Sequence, residues 1–187
     1  QQGSRARGMK SDKASLPSEI SAYLGRCLAA QDNAHTGYNA ALREISAGRK
    51  SSHWIWYIWP SHHLVRTTSR PQYSLPHTMA AEAWLLHPTL GARFVAITNA
   101  ACEQLERGAA AQTVFGSEVD VEKFHECCTT FAIAAEQSAN RDAPPLAESG
   151  AACRRALALL QLPAHEQSTK VAMQEMEMTM LKGSRCS

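Results

Sequence analysis

Four polar residues near the middle of the chain carry side chains that can bind an anion. Arg49, Lys50, Ser52 and His53 lie together in the segment 48–60. If Ser52 caps a helix, the free backbone N–H groups and the helix dipole favour an anion at that end. Arginine adds a planar fork for phosphate or carboxylate, and lysine adds a point charge. The segment therefore predicts a small-anion site, with a capped helix and solvated cations as the alternative.

Tryptophan side chains follow these cations directly. Trp54 and Trp56 could stack against a nucleobase or another planar group bound beside Arg49 and Lys50. Core packing is the competing interpretation, because alternate residues of one short helix cannot all face the same way. We expect most tryptophans to be buried and at least one to be partly exposed. The four are Trp54, Trp56, Trp59 and Trp84.

Three ionisable residues are candidates for proton transfer beside such a site. His53, Glu82 and Asp120 have side chains of the types that act as general acids or bases. Structural roles compete with this one, because Asp120 would stabilise the N-terminus of a helix capped by Ser117, and Glu82 would pair with Arg93. The sequence leaves open whether the protein is an enzyme.

Histidines and cysteines are numerous, but their spacing matches no metal site. The adjacent pairs His62-His63 and Cys127-Cys128 are poorly placed to bind one ion, and no His-Glu-x-x-His motif occurs. We expect neither a metal nor a cofactor. A Cys128 nucleophile activated by His53 would require two helices to meet, which no pattern indicates. The six cysteines favour buried free thiols in a reducing cytoplasm.

Composition indicates one globular domain with a mildly basic middle. The chain has 187 residues, of which 44% are hydrophobic and 19% charged, which suits a single domain with a core. No apolar run is long enough to cross a membrane, and no secretory signal pattern is present. Residues 43–93 contain six cations against two carboxylates, yet the net charge of the chain is only +2. Nucleic acid is therefore an unlikely partner.

Apolar spacing and capping residues predict an all-α fold of six to eight helices. We expect one compact domain over 16–162, a disordered tail over 1–15, and a terminal helix or mobile tail over 163–187. The segment 52–59 is rich in aromatic and β-branched residues, but no other segment offers a partner strand, so it is predicted helical with Ser52 as N-cap. The other predicted helices span 17–30, 36–47 with Thr36 as N-cap, 78–86, 89–107, 110–114, 118–136 and a stretch beginning at Ser149.

Several motifs resemble one protein family. The run GRKSSHWIWYIWP at 48–60 is the most distinctive. The others, in order, are Ala30-Gln31-Asp32, Ala81-Glu82-Ala83-Trp84-Leu85, His87-Pro88-Thr89-Leu90-Gly91-Ala92-Arg93, Phe115-Gly116, Asp120, Lys123, Thr129 and Phe131. Together they resemble family 1810 of the domains of unknown function, over about residues 28–135. The resemblance implies an all-helical fold and a bacterial-type cytosolic protein, and it implies no activity.

The chain departs from the family pattern at two places. After Pro60 the pattern has Gln and a Gly-Leu-Gly run, where this chain has Ser61 followed by His62-His63-Leu64-Val65. Before Thr129 the pattern has small hydroxyl residues, where this chain has Cys127-Cys128. If these positions line a pocket, the chemistry of that pocket is altered in this protein.

Three functions follow from these features. The first is binding, with or without processing, of a small anionic or nucleotide-like metabolite at 48–60. In that function Arg49, Lys50, Ser52 and His53 would hold the anion, and Trp54 or Trp56 would flank the planar group. The second is a non-catalytic module that binds a protein partner through an exposed aromatic patch. The third, and weakest, is RNA binding through the basic middle.

Overall fold

The computed structural model describes residues 16–183, and within them the fold is all-α. Two single turns of 3-10 helix, Ile55–Tyr57 and Pro71–Tyr73, lie in the long connection between the second and third helices. The predicted all-α fold class is confirmed by the eight α-helices named below. The tail predicted over 1–15 lies outside the described residues. The eight α-helices are α1 (Ser18–Gln31), α2 (Tyr38–Ser46), α3 (Thr78–Leu86), α4 (Pro88–Glu106), α5 (Ala111–Phe115), α6 (Glu118–Gln137), α7 (Pro144–Leu160) and α8 (Glu166–Gly183).

Helix α6 is the centre of the packing. It contacts α3, α5, α7 and α8, and it is buried almost continuously from Phe124 to Ala135. Its Phe131 ring stacks on Phe94 of α4 with centroids 4.8 Å apart. Nearer the start of α6, Phe124 meets Trp59 and Phe115 with centroids 4.7 and 4.4 Å away. Buried aromatic rings of this kind contribute much of the apolar area that stabilises a domain.

Several helix termini follow from local side-chain chemistry. The hydroxyl of Ser117 accepts a hydrogen bond from the Asp120 N–H, so the predicted N-cap of α6 is present. The predicted cap at Thr36 is wrong, because α2 begins after Gly37 without a side-chain cap. Asn33 explains the difference: its Oδ1 accepts hydrogen bonds from the backbone and hydroxyl of Thr36, which hold that residue in the preceding turn.

Two predicted elements are corrected by the structure. Helix α7 begins at Pro144 rather than Ser149, because a proline at the first helical position needs no hydrogen-bond partner. The Ser149 hydroxyl instead donates to the Pro145 carbonyl inside the helix. The helix predicted over 52–59 is also wrong, since only the turn Ile55–Tyr57 forms there and Ser52 caps nothing.

Helix α8 holds the second half of the connection between α2 and α3. The carboxylate of Glu175 accepts hydrogen bonds from the backbone N–H and hydroxyl of Thr78, at 2.7 and 2.8 Å. The same carboxylate lies 3.2 Å from Nε2 of buried His62, in the middle of the connection. One residue of α8 therefore fixes the ends of the segment 62–78.

No helix in residues 16–183 has the length and apolar character needed to cross a membrane.

Candidate functional site

The backbone amides predicted to bind an external anion bind a carboxylate of the protein. Glu44 on α2 accepts hydrogen bonds from the N–H groups of Ser51 and Ser52, at 2.7 and 3.0 Å. It also accepts from the Ser52 hydroxyl and, at 2.8 Å, from the indole N–H of Trp54. This explains why Ser52 does not start a helix: its side chain and N–H are both directed to Glu44.

These hydrogen bonds have a predictable effect on acid stability. Partial burial alone would raise the pKa of Glu44, but the hydrogen bonds from Ser51, Ser52 and Trp54 outweigh it and hold the pKa at about 2, below the ordinary 4.5. Burial alone would raise the pKa of Glu175 as well, but the hydrogen bonds from His62 and Thr78 outweigh it and lower the pKa to about 2. A carboxylate with a lowered folded-state pKa adds stability above its unfolded-state pKa.

We therefore expect the free energy of unfolding to fall as the pH drops from about 4.5 towards 2. Urea denaturation followed by circular dichroism at several pH values measures this slope. The double variant Glu44→Gln, Glu175→Gln should lose much of it, whereas exposed Glu148→Gln should keep it. An unchanged slope in the double variant would contradict the assignment.

A compact ion cluster joins the predicted anion segment to helix α6. Lys50 Nζ lies 2.6 Å from Asp120 Oδ2, and Lys123 Nζ lies 3.0 Å from Oδ1 of the same carboxylate. The three side chains are only 9%, 12% and 13% exposed for Lys50, Lys123 and Asp120. Two lysines on one carboxylate leave one net positive charge in a partly buried place.

A cleft of about 340 Å³ is separate from this cluster but is linked to it by Trp56, which lines the cleft and lies near Lys123. Its lining includes the imidazole of His53, the indole of Trp56 and the side chains of Arg70 and Tyr73, hereafter the cleft residues. The volume is at the lower end of the range of small-molecule sites, about 300–1,000 Å³. The remaining wall comes from the end of α1 and the turn after it, at Ala29, Ala30, Asn33 and Thr36, together with Tyr57.

The chemistry of the cleft is cationic and aromatic. Arg70 Cζ lies 5.7 Å from the centroid of a Trp56 ring, and Lys123 Nζ lies 5.2 Å from it. The His53 ring is 6.4 Å from the Trp56 ring. Among residues 16–183, Arg70 forms no ion pair with a carboxylate. A free guanidinium beside aromatic rings suits a planar anion.

The structure brings only two of the predicted ligand-binding residues, His53 and Trp56, into the cleft. Arg49 is exposed and is not part of the cleft lining, and Lys50 is bound to Asp120. Trp54 is fully buried, so its ring faces are not available to a ligand. As expected, most tryptophans are core residues and one, Trp56, is partly exposed.

The other predicted candidates have structural partners. Glu82 accepts a 2.6 Å hydrogen bond from the Ser138 hydroxyl, so the expected pair with Arg93 does not form. Arg93 Nη2 instead lies 2.8 Å from Asp32 Oδ1. Among the candidates for proton transfer, His53 is the one that lines the cleft.

The buried thiols are poor nucleophiles. Burial raises the pKa of both Cys127 and Cys128 well above its ordinary value, which keeps the thiols protonated. Among the described residues, no group of three or more His, Cys, Asp or Glu side chains is arranged to hold a metal ion. Five cysteines are free and buried, and Cys186 lies outside the described residues.

Sequence reasoning missed Arg70 and Tyr73. Both belong to the long connection between α2 and α3, which has no apolar period. Its length was the available signal, because ordered connections longer than about 12–15 residues are often functional. The turn Pro71–Tyr73 and the Tyr23 hydroxyl, which donates to the Tyr73 carbonyl at 3.3 Å, place these residues against α1.

Comparison with known proteins gives a family but no activity. The model of a family described as "Protein of unknown function (DUF1810)" matches residues 21–148. The chain belongs to the DUF1810 family. A crystal structure of the conserved hypothetical protein Rv1873 from Mycobacterium tuberculosis is similar, with 28% identity and a TM-score of 0.56. The match covers 76% of this chain and 99% of that one. No curated protein matches the chain.

Several residues of the DUF1810 resemblance have structural roles. Gln31 donates a 2.7 Å hydrogen bond to the Tyr57 carbonyl, and its amide oxygen accepts from Arg93. Gly91 packs so tightly that a Cβ there would collide with the Leu85 carbonyl. At the departures from the pattern, Ser61 lies next to the cleft wall and His62 is bound by Glu175.

Proposed function

We propose that this DUF1810 protein binds a small anionic metabolite with a planar group, such as a nucleotide, in the cleft of His53, Trp56, Arg70 and Tyr73. The observation that carries the proposal is the position of Arg70. Its guanidinium lines a concave, aromatic cleft and has no carboxylate partner in the described chain. Arg70 is exposed, so its charge is available to a ligand that enters the cleft, and a guanidinium can bind a phosphate or carboxylate through two parallel hydrogen bonds.

The aromatic side chains support a planar ligand. Tyr57 and Tyr73 meet edge to face at 5.2 Å, and Trp56 stands beside them with Arg70 against its ring. A planar group of the ligand can stack on the Arg70 guanidinium, or it can take the place of that guanidinium against the Trp56 ring. His53, at the mouth of the same cleft, is the residue that would transfer a proton if the ligand is also processed.

A thermal-shift panel tests the proposal. Nucleotides, dinucleotides, ADP-ribose and sugar phosphates are each added to the wild type, to Arg70→Ala and to Arg49→Ala. A ligand at 100 times its dissociation constant adds about 2.7 kcal/mol, which corresponds to roughly 5–10 °C for a domain of this size. Arg70→Ala should weaken binding at least tenfold, because a charge-assisted hydrogen bond contributes about 1.5–3 kcal/mol.

Arg49→Ala is the matched control, because Arg49 is also an exposed arginine but does not line the cleft. A shift lost in Arg49→Ala and kept in Arg70→Ala would move the anion site to the segment 48–60 and refute the cleft. No shift with any compound in the wild type would refute small-anion binding of the tested classes.

The two alternative functions have weaker support. Trp54, Trp59 and Trp84 are fully buried, so they form no exposed aromatic patch for a protein partner. Of the six cations in 43–93, Lys50, Arg66 and Arg93 are in ion pairs, which reduces the free positive charge available to RNA. A cytoplasmic location stays a prediction, and the five free cysteines among the described residues favour it.

A further inference from the structure

A second, smaller cavity shares two lining residues with the cleft. Trp56 and Tyr73 line both cavities. The smaller one, hereafter the chamber, has a volume of about 10 Å³, which is room for about one water-sized oxygen atom. Its polar lining consists of Ser61, Thr68, Ser74 and Lys123.

The chamber contains a buried hydroxyl that lacks a partner. Ser61 is 5% exposed, and within residues 16–183 its Oγ makes no hydrogen bond. A buried polar group without a partner is costly, and such groups are rare in folded proteins. The neighbouring Thr68 hydroxyl accepts a hydrogen bond from the Arg70 N–H at 3.1 Å, which leaves its own proton to donate. Two hydroxyl donors are thus available to an acceptor in the chamber.

The charge beside the chamber points to an anionic acceptor. Lys123 shares Asp120 with Lys50, so the three groups carry one net positive charge in a partly buried place. An uncompensated charge away from water is unfavourable unless an opposite charge approaches it. An anionic oxygen in the chamber would lie beside Lys123 and balance this cluster.

We propose that the chamber is an anion subsite, which takes one oxygen atom of the anionic group of the cleft ligand. The inference rests on the proposed function and assigns one end of the ligand: Ser61, Thr68 and Lys123 donate to that oxygen, and Arg70 binds the anionic group from the cleft side. Trp56 lines both the chamber and the cleft, so one anionic group beside its ring can reach both.

The test titrates the protein with two probes, AMP and inorganic phosphate, and follows binding by the change in tryptophan fluorescence. Ser61→Ala should weaken the binding of both at least tenfold. The midpoint of thermal unfolding of the free variant should be unchanged or higher, because the removed hydroxyl has no partner. Lys123→Met should weaken binding to a similar extent. Ser69→Ala, an exposed serine of the same connection, is the matched control and should bind both probes as the wild type does.

The outcomes separate this inference from the proposed function. If Ser61→Ala and Lys123→Met bind AMP normally while Arg70→Ala does not, the chamber is refuted and the cleft stands. A Ser61→Ala variant that is less stable but binds normally identifies a structural water site and also refutes the chamber. If the wild type binds neither probe, the subsite is refuted, and the wider panel still decides whether the cleft binds another anion.

Discussion

Replacing Glu44 with alanine is expected to lower the free energy of unfolding by about 3 kcal/mol. The carboxylate is the shared acceptor for two backbone N–H groups, the Ser52 hydroxyl and the indole N–H of buried Trp54. Without it, donors in a partly buried place lose their partner, and water reaches only those at the surface. Thermal and urea unfolding measure the loss, which corresponds to roughly 6–12 °C in the midpoint.

Two further variants test whether the loss comes from the acceptor oxygens of Glu44. Glu44→Gln should fall between the wild type and Glu44→Ala, because one oxygen still accepts while the amide nitrogen faces other donors. Glu148→Ala, which removes an exposed carboxylate of α7, should change stability by less than about 0.5 kcal/mol. A Glu44→Ala protein as stable as Glu148→Ala would show that the backbone of 50–54 is held by other contacts.

Arg66→Met is expected to cost about 3 kcal/mol, a loss of the same size. The Arg66 guanidinium binds both oxygens of Glu126 at 2.7–3.0 Å, and the Glu126 side chain is 3% exposed. Removing the arginine leaves a carboxylate of the central helix α6 buried without its cation. The free energy of unfolding from urea denaturation reports the loss.

The double variant Arg66→Met, Glu126→Met provides the contrast. Replacing both members of a buried ion pair by apolar residues removes the unpaired charge, so its stability should return to within about 1 kcal/mol of the wild type. Arg141→Met, at an exposed arginine without an ion pair among the described residues, should have little effect. Equal losses in the single and double Arg66 variants would mean that apolar packing of the arginine stem, rather than charge pairing, holds the connection.

The helices could be predicted because their signals are local. The predicted span 78–86 coincides with α3, and Ser117 caps α6, because apolar spacing and a hydroxyl three residues from an N–H act within one or two turns. Ser52 shows where local reasoning fails. Its hydroxyl could cap a helix, but Glu44, eight residues earlier, approaches through the Gly48 turn and binds it instead.

The site was less predictable because it is made by distant parts of the chain. His53 and Trp56 were candidates because of their residue types, whereas Arg70 and Tyr73 reach the cleft through a connection without an apolar period. Trp54 and Trp56 differ by two residues and have similar neighbours in sequence, yet one is fully buried and the other lines the cleft. A 3-10 turn sets that difference, and no pattern of residue types predicted it.

The contacts of Glu175 with both His62 and Thr78 have a consequence for homologous proteins that differ in their C-terminal sequence. Helix α8 lies beyond residues 21–148, the part that defines the family, yet it fixes the ends of the segment that carries Arg70 and Tyr73. Two homologues with identical cleft residues but different C-terminal sequences would therefore hold that segment with different rigidity. In this protein, sequence changes in α8 can therefore alter how the segment 62–78 is held, although α8 does not line the cleft.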